Sequence, residues 1–260
     1  MASEFAGKVV LVTGGGNGIG AATCRAFARA GAHVAILDRD RAAAEAVAKE
    51  IAGRGGHATA HAIDVADRGA FAAATAEIAE AAGGIDILVN GAGTTVRRMI
   101  PDMSPEDWDR VIAVNLTGAF NVVRALLASL REARGDVVLI GSVSGSWPDP
   151  SGPAYQAAKA GLLAFARAAG FEEHAGGVRF TTVLPGVVDT PILDRRPEPP
   201  PPEVRAHMLQ PEDVAAACLF AITLPRRAHV AELTILPTAL QAVGKTNVGT
   251  PEVPHGKNDT

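Results

Sequence analysis

Tyr155 and Lys159 stand four residues apart in the stretch Pro153-Ala-Tyr-Gln-Ala-Ala-Lys-Ala-Gly161, and Ser142 precedes the tyrosine by thirteen residues. The Ala-rich continuation to about Gly170 predicts a helix, in which positions i and i+4 share one face, so the ammonium lies beside the phenol. A free tyrosine titrates near ~10, too high for acid–base work at neutral pH until a neighbouring cation favours the phenolate. A serine hydroxyl can then hold the oxygen of a reacting alcohol or carbonyl against the phenol. An exposed helical pair would have the same spacing, so the reading needs a second motif beside it. Tyr155 is the only tyrosine in the chain.

The second motif is Lys8-Val-Val-Leu-Val-Thr-Gly-Gly-Gly-Asn-Gly-Ile-Gly20. A β-branched run reads as a buried strand, which breaks at Gly14 into a glycine-dense turn and continues as the helical pattern Ala21 to Ala30. Strand, glycine turn and helix together make a phosphate cradle. The backbone can approach a pyrophosphate closely, and the free N–H groups at the helix start attract its charge. The spacing Gly14-x-x-x-Gly18-x-Gly20 differs from the three-glycine dinucleotide fingerprint, but the next strand, His33-Val-Ala-Ile-Leu37, ends in Asp38. An acid there accepts hydrogen bonds from both ribose hydroxyls and repels a 2′-phosphate. Asp38 therefore argues for NAD over NADP, while Arg39 leaves room for a phosphate.

These motifs, in this order, resemble the short-chain dehydrogenase/reductase family in its compact branch, over about residues 7 to 240. The resemblance implies that Gly14, Asn17, Gly18, Ile19 and Gly20 form the cofactor turn and that Asp64 and Val65 hold the adenine ring. Asn90-Gly-Ala-Gly93 is similar to the Asn-Asn-Ala-Gly segment closing the fourth strand, with Gly91 replacing the second asparagine; Asn90, Gly91 and Ala92 would line the cofactor. Asn115 resembles the helix asparagine that holds a water in a proton relay to the lysine, and Ser142, Tyr155 and Lys159 fall on the catalytic positions. Pro185-Gly-Val-Val-Asp-Thr190 resembles the segment gripping the nicotinamide carboxamide, with Pro185 and Gly186 shaping it and Val188 and Thr190 binding. Substrate contacts are expected from Thr94, Ser144, Trp147 and Ile192. The implied reaction is hydride transfer between nicotinamide and a secondary alcohol or ketone, with Tyr155 as general acid/base. The alternatives are an NADP-dependent ketone or 3-oxoacyl reductase and a non-catalytic dinucleotide-binding regulatory protein.

Elements that would position these residues alternate along the chain. Strands are expected near 8–13, 33–37, 57–63, 85–90, 136–141, 178–184 and 231–236, with helices between, which predicts one α/β domain: a doubly wound, Rossmann-type, seven-stranded parallel sheet with helices on both faces. That domain spans 1–244, with a substrate lid about 191–210 and a tail at 245–260. Ser104-Pro-Glu-Asp107 and Gln210-Pro-Glu-Asp213 are helix starts with a polar cap, proline in the first turn and acids at the positive end of the dipole. The run Arg196-Pro-Glu-Pro-Pro-Pro-Pro-Glu203 is expected to be stiff, extended and non-helical.

A formal charge of -4 with mixed signs leaves no footprint for nucleic acid or anionic lipid. The pairs Arg97-Arg98, Arg195-Arg196 and Arg226-Arg227 read as solvated surface, and no apolar run or leader is expected to reach a membrane. Cys24 and Cys218 read as core side chains and the seven histidines show no zinc spacing, so no metal is expected. A cytoplasmic enzyme acting on a small molecule is the expectation, assembled as a homotetramer through the helices bearing Asn115 and Tyr155, or as a dimer.

Overall fold

The computed structural model describes residues 4–195 and 198–240; the tail expected at 245–260 lies outside them. Seven strands form one parallel sheet: β1 (Val9–Thr13), β2 (His33–Asp38), β3 (His57–Ala62), β4 (Ile87–Asn90), β5 (Asp136–Ile140), β6 (Arg179–Pro185) and β7 (Glu232–Ile235). Their order is β3-β2-β1-β4-β5-β6-β7, and each expected strand is present. Beside β1 lie Leu11↔Ala35 of β2 on one side and Leu11↔Leu88 of β4 on the other. The winding reverses there. Loops leaving β1 and β4 must diverge, and the crevice between them at the strands' carboxyl ends is where a doubly wound sheet takes its ligand.

Helices cover both faces because alternate strand residues point to opposite sides and both sets are apolar. On one face Val10 and Val12 of β1 pack with Cys24 and Phe27 of α1 (Gly18–Arg29), Val47 and Ile51 of α2 (Arg41–Gly53), and Val214 and Cys218 of α8 (Pro211–Thr223). On the other, Val9 and Leu11 meet Phe71 and Ile78 of α3 (Arg68–Ala82), Val122 and Leu126 of α5 (Gly118–Ala133), and Leu162 and Ala166 of α6 (Pro153–Glu173). The remaining helices are α4 (Pro105–Ile112) and the single turn α7 (Pro202–Arg205).

Ser104 caps α4 by accepting from the Asp107 N–H at 3.1 Å, and the Gln210–Asp213 capping box opens α8. Between α4 and α5 the helix widens into a π turn, Ala113–Thr117. The continuous stretch Pro105–Ala133 corrects one expectation, because it is long enough to cross a membrane and holds an 18-residue window apolar enough to do so, with mean hydropathy 1.7. It carries buried Asn115 and Asn121 and packs on the sheet, as a core helix does. A second correction concerns the proline run, whose final Pro202 and Glu203 open α7. Proline at the first helical position gives up an N–H that has no intrahelical acceptor.

Arg226, read as surface, is exposed, and it also reaches an acid of the sheet. It donates to both Asp136 oxygens at 3.1 and 3.0 Å, beside the buried Arg179–Asp136 pair at 2.6 Å. Arg179 also donates to the carbonyls of Ile222, Leu224 and Ala228 at 2.9 to 3.0 Å, tying the β5 and β6 starts to the chain approaching β7. Four of the five N–H donors of this buried guanidinium therefore meet acceptors, three of them carbonyls on the approach to the last strand.

Candidate active site

The glycine turn sits at the crevice. Gly14 has φ +67, and a Cβ there would stand 2.9 Å from the Ala92 backbone, so the β1 and β4 ends approach as only glycine permits. A Cβ on Gly20 would fall 2.1 Å from the Gly14 carbonyl oxygen. Asn17 holds the N-cap position of α1 without a side-chain capping bond, and no acid lies in that first turn. The helix start thus keeps donors and positive dipole for an anion. Gly18 lies against Thr190, where a Cβ would be 3.1 Å from its methyl carbon, and Ile19 packs into the core below.

Asp38 at the end of β2 accepts from the Gly16 N–H and the Asp40 N–H, each at 3.0 Å. Asn90 and Thr13 meet at 3.0 Å, and the Thr13 hydroxyl also accepts from the Ala92 N–H at 3.2 Å, while the Gly91 N–H donates to the Thr13 carbonyl at 3.1 Å. Thr13, the last residue of β1 and the first of the glycine motif, thus ties the strand ends together. Asp64 is exposed and caps its own turn by accepting from the Ala66 N–H, whereas Val65 is buried with its carbonyl held by Asn121.

On the far side of the crevice, Pro185 closes β6 and the Gly186 N–H donates to the Ile235 carbonyl at 2.8 Å. Val188 pairs with Leu209 as an isolated bridge, and Arg205 of α7 binds Asp189 at 3.0 Å, Asp194, and the Pro200 carbonyl at 3.1 Å. The segment around Val188 and Thr190 is thereby tied to the turn that follows it. Ile192, half-buried, packs with Leu193, Val204 and Met208.

Ser142, Tyr155 and Lys159 come together where β5 ends and α6 begins. Lys159 is buried, and its ammonium donates to the Ile140 carbonyl at 2.8 Å while lying 5.6 Å from the Tyr155 ring centroid. None of the described ion pairs includes it, and burial pushes its pKa down from 10.5 to about 8. Tyr155 is half-buried on the same helix face. Asn115 is fully buried in the π turn; its amide donates to the carbonyls of Thr94 at 2.7 Å and Val111 at 2.9 Å. The side chain is therefore spent on fixing the loop after β4.

Ser142 Oγ accepts from the Ser144 N–H at 3.1 Å and donates to Ser144 Oγ at 3.0 Å. Ser144, expected at the substrate, is instead buried and bonded to Asp149. Asp149 was missed; an acid between two prolines six residues before the tyrosine was the available signal. Trp147 is 37% exposed beside this loop, and Arg97 gives its Nε–H to the Pro150 carbonyl at 2.8 Å. Cys24 and Cys218 are buried, with thiol pKa values raised by burial, and among the described residues no group of three metal-ligating side chains forms.

Three comparisons agree with this geometry. The family model "short chain dehydrogenase" matches residues 8–200. The chain is 33% identical over 220 residues to the 3-oxoacyl-[acyl-carrier-protein] reductase FabG of Thermotoga maritima, covering 82% of this chain and 89% of that one. It is 37% identical over 198 residues to 2,5-dichloro-2,5-cyclohexadiene-1,4-diol dehydrogenase LinX of Sphingobium indicum, covering 76% and 79%. Among solved structures, an alcohol dehydrogenase from Thermococcus sibiricus complexed with 5-hydroxy-NADP superposes with a TM-score of 0.81 at 29% identity, covering 89% of this chain and 97% of that one. A parallel sheet with the glycine turn at its switch point, joined to a family match over most of its length, places this chain in the short-chain dehydrogenase/reductase family of nicotinamide-dependent oxidoreductases.

Proposed function

We propose that this protein is an NAD-dependent dehydrogenase acting on a secondary alcohol, and on the corresponding ketone in reverse. The observation that carries the reading is a buried lysine with no carboxylate partner among the described residues, donating to the Ile140 carbonyl one helical turn from the single tyrosine. A buried cation is costly unless something uses it, and a phenolate beside it is such a use.

The residues present fit a dinucleotide. Gly14 and Gly20 leave a cradle that a Cβ would fill, the start of α1 offers uncapped donors, and the Asp38 carboxylate is held by two backbone N–H groups at the end of β2. Gly14, Asn17, Gly18, Ile19 and Gly20 would hold the pyrophosphate, Asp38 the adenosine ribose, and Asp64 and Val65 the adenine. Asn90, Gly91, Ala92, Pro185, Gly186, Val188 and Thr190 would line the nicotinamide end, with Lys159 on its ribose. When bound, the nicotinamide accepts or supplies the hydride at the carbinol carbon.

Tyr155 takes the alcohol's hydroxyl proton during oxidation and returns it during reduction. Ser142 holds the substrate oxygen, and Lys159 favours the phenolate by its charge. Asn115 keeps the relay open through its backbone in the π turn, where helix carbonyls leave the regular ladder. Thr94, Trp147 and Ile192 border the substrate; the segment 191–210 is its lid, and 1–244 works as one unit. An alicyclic or aromatic secondary alcohol is the substrate class favoured by the similarity to a cyclohexadienediol dehydrogenase and by exposed Trp147 in the loop after Ser142.

The alternative is an NADP-dependent ketone or 3-oxoacyl reductase, which the FabG relative and exposed Arg39 support. Titrating NADH and NADPH by fluorescence separates the two. Tyr155→Phe should nearly abolish turnover of an alcohol panel followed at 340 nm yet leave NADH affinity intact; full turnover in that variant refutes the mechanism.

A further inference from the structure

Asp149 lies outside every motif that led to the active site, yet it is bonded into it. Its Oδ2 accepts from the Ser144 hydroxyl, and its Oδ1 accepts from the Ser151 N–H at 2.7 Å. Its backbone is clamped by Gln156, whose amide nitrogen donates to the Asp149 carbonyl at 2.9 Å and whose amide oxygen accepts from the Asp149 N–H at 3.4 Å. Gln156 follows Tyr155 directly in the first turns of α6. At the other end, Ser144 holds Ser142 Oγ by its N–H at 3.1 Å and by its hydroxyl at 3.0 Å.

An ionised carboxylate only accepts. Ser144 must therefore give its proton to Asp149, which leaves the Ser144 oxygen to accept from Ser142; a second hydroxyl, Ser151 Oγ at 3.3 Å, stands ready to donate there instead. The Ser142 proton is then free to turn to a substrate oxygen while Ser144 stays satisfied. Neither Ser142 nor Ser144 can rotate away without stranding a buried polar group, since both are buried.

We propose that Asp149 is a positioning residue that registers the serine against the tyrosine, through a bonded chain running Ser142, Ser144, Asp149, Gln156 and so to Tyr155 on α6. The proposal rests on the dehydrogenase reading above. It adds a group to it that touches neither substrate nor cofactor. Misplacing one of two reacting groups by a fraction of an ångström lowers the rate far more than it weakens binding.

The test compares Asp149→Ala, Asp149→Asn, Ser144→Ala and the double variant Ser144→Ala/Asp149→Ala with wild type and Tyr155→Phe. Asp149→Ala should lower kcat about tenfold with NADH affinity unchanged, because the two bonds its carboxylate accepts, from the Ser144 hydroxyl and the Ser151 N–H, are lost near the reacting groups. Asp149→Asn, which keeps an acceptor oxygen and the same shape, should recover most of that loss. The double variant should be no slower than the slower single, since both break the same chain. Wild-type kcat in Asp149→Ala, or losses that multiply in the double variant, would overturn the proposal.

Isotope-edited infrared spectra with ¹³C-aspartate supply an arm independent of turnover: Ser144→Ala should shift one carboxylate stretch, which Asp149→Asn removes. An unshifted band overturns the chain of bonds. Full activity in Tyr155→Phe would instead sink the dehydrogenase reading, leaving the infrared result to stand or fall alone.

Discussion

Replacing Lys159 by methionine should make the protein more stable at neutral pH and catalytically dead. The lysine is buried and burial pushes its pKa from 10.5 down to about 8. At about 1.4 kcal/mol per factor of ten, that gap means the folded state tolerates the charge at a cost of about 3 kcal/mol. Methionine matches the stem in length and removes the charge, but forfeits the bond to the Ile140 carbonyl, worth about 1 kcal/mol. The net gain is about 2 kcal/mol, or a rise in melting temperature of roughly 4–8 °C for a domain of this size.

The pH dependence carries a definite sign. Below pH 8 folded and unfolded chains both hold the proton, so the full cost is present. Between about 8 and 10.5 the folded chain releases its proton while the unfolded chain keeps it, so wild-type stability rises with pH relative to the variant. Above 10.5 the lysine is neutral in both. The stability gap between variant and wild type should therefore be constant up to about pH 8 and shrink towards pH 10.5, measured by urea denaturation across that range. Turnover should fall by about 10²-fold or more at every pH. A variant less stable than wild type at pH 7, or a gap that ignores pH, would refute the assignment of Lys159 as an uncompensated buried cation.

Other substitutions probe the remaining parts of the site. Asp38→Ala removes the acceptor at the end of β2 that the Gly16 N–H holds in place, and should shift the NADPH-over-NADH affinity ratio upward by about tenfold or more in fluorescence titrations; an unchanged ratio would take Asp38 out of cofactor choice. Gly20→Ala would set a Cβ 2.1 Å from the Gly14 carbonyl oxygen, so the turn must open at a cost of about 1–3 kcal/mol. NADH binding should be lost in that variant, and retained affinity would refute the cradle. Arg179→Leu strips Asp136 of its buried partner and leaves three carbonyls unmet, and urea denaturation should show a loss of about 3–5 kcal/mol. A loss below about 1 kcal/mol would mean that Arg226 alone suffices for Asp136.

The alternation of seven apolar runs with helical stretches was enough to name the layers, because each strand and helix is encoded by residues within a few positions of one another. The placement of Tyr155 beside Lys159 was equally local, being one helical turn. The glycine turn was legible for the same reason, since its demand on the backbone is made by the residues that form it. Arg226 went the other way. Its exposure was legible but its ion pair was not, because only the return of the chain to β7 brings it to Asp136.

Asn115 shows the boundary between the two kinds of information. Its position in a helix could be read from sequence, but that its amide would be spent on the Thr94 and Val111 carbonyls, inside a π turn, depended on the loop after β4 folding back across that helix. Asp149 belongs to the same class, its meaning supplied by Ser144 and Gln156 together. Strand and helix identity, the glycine turn and the tyrosine–lysine spacing were determined by sequence alone, through periodicity and backbone sterics acting over one or two turns. The strand order, the burial that strips Lys159 of water, and the hydrogen bonds aiming Ser142 were decided by tertiary structure, because desolvation and proton direction exist only once distant segments close around a group.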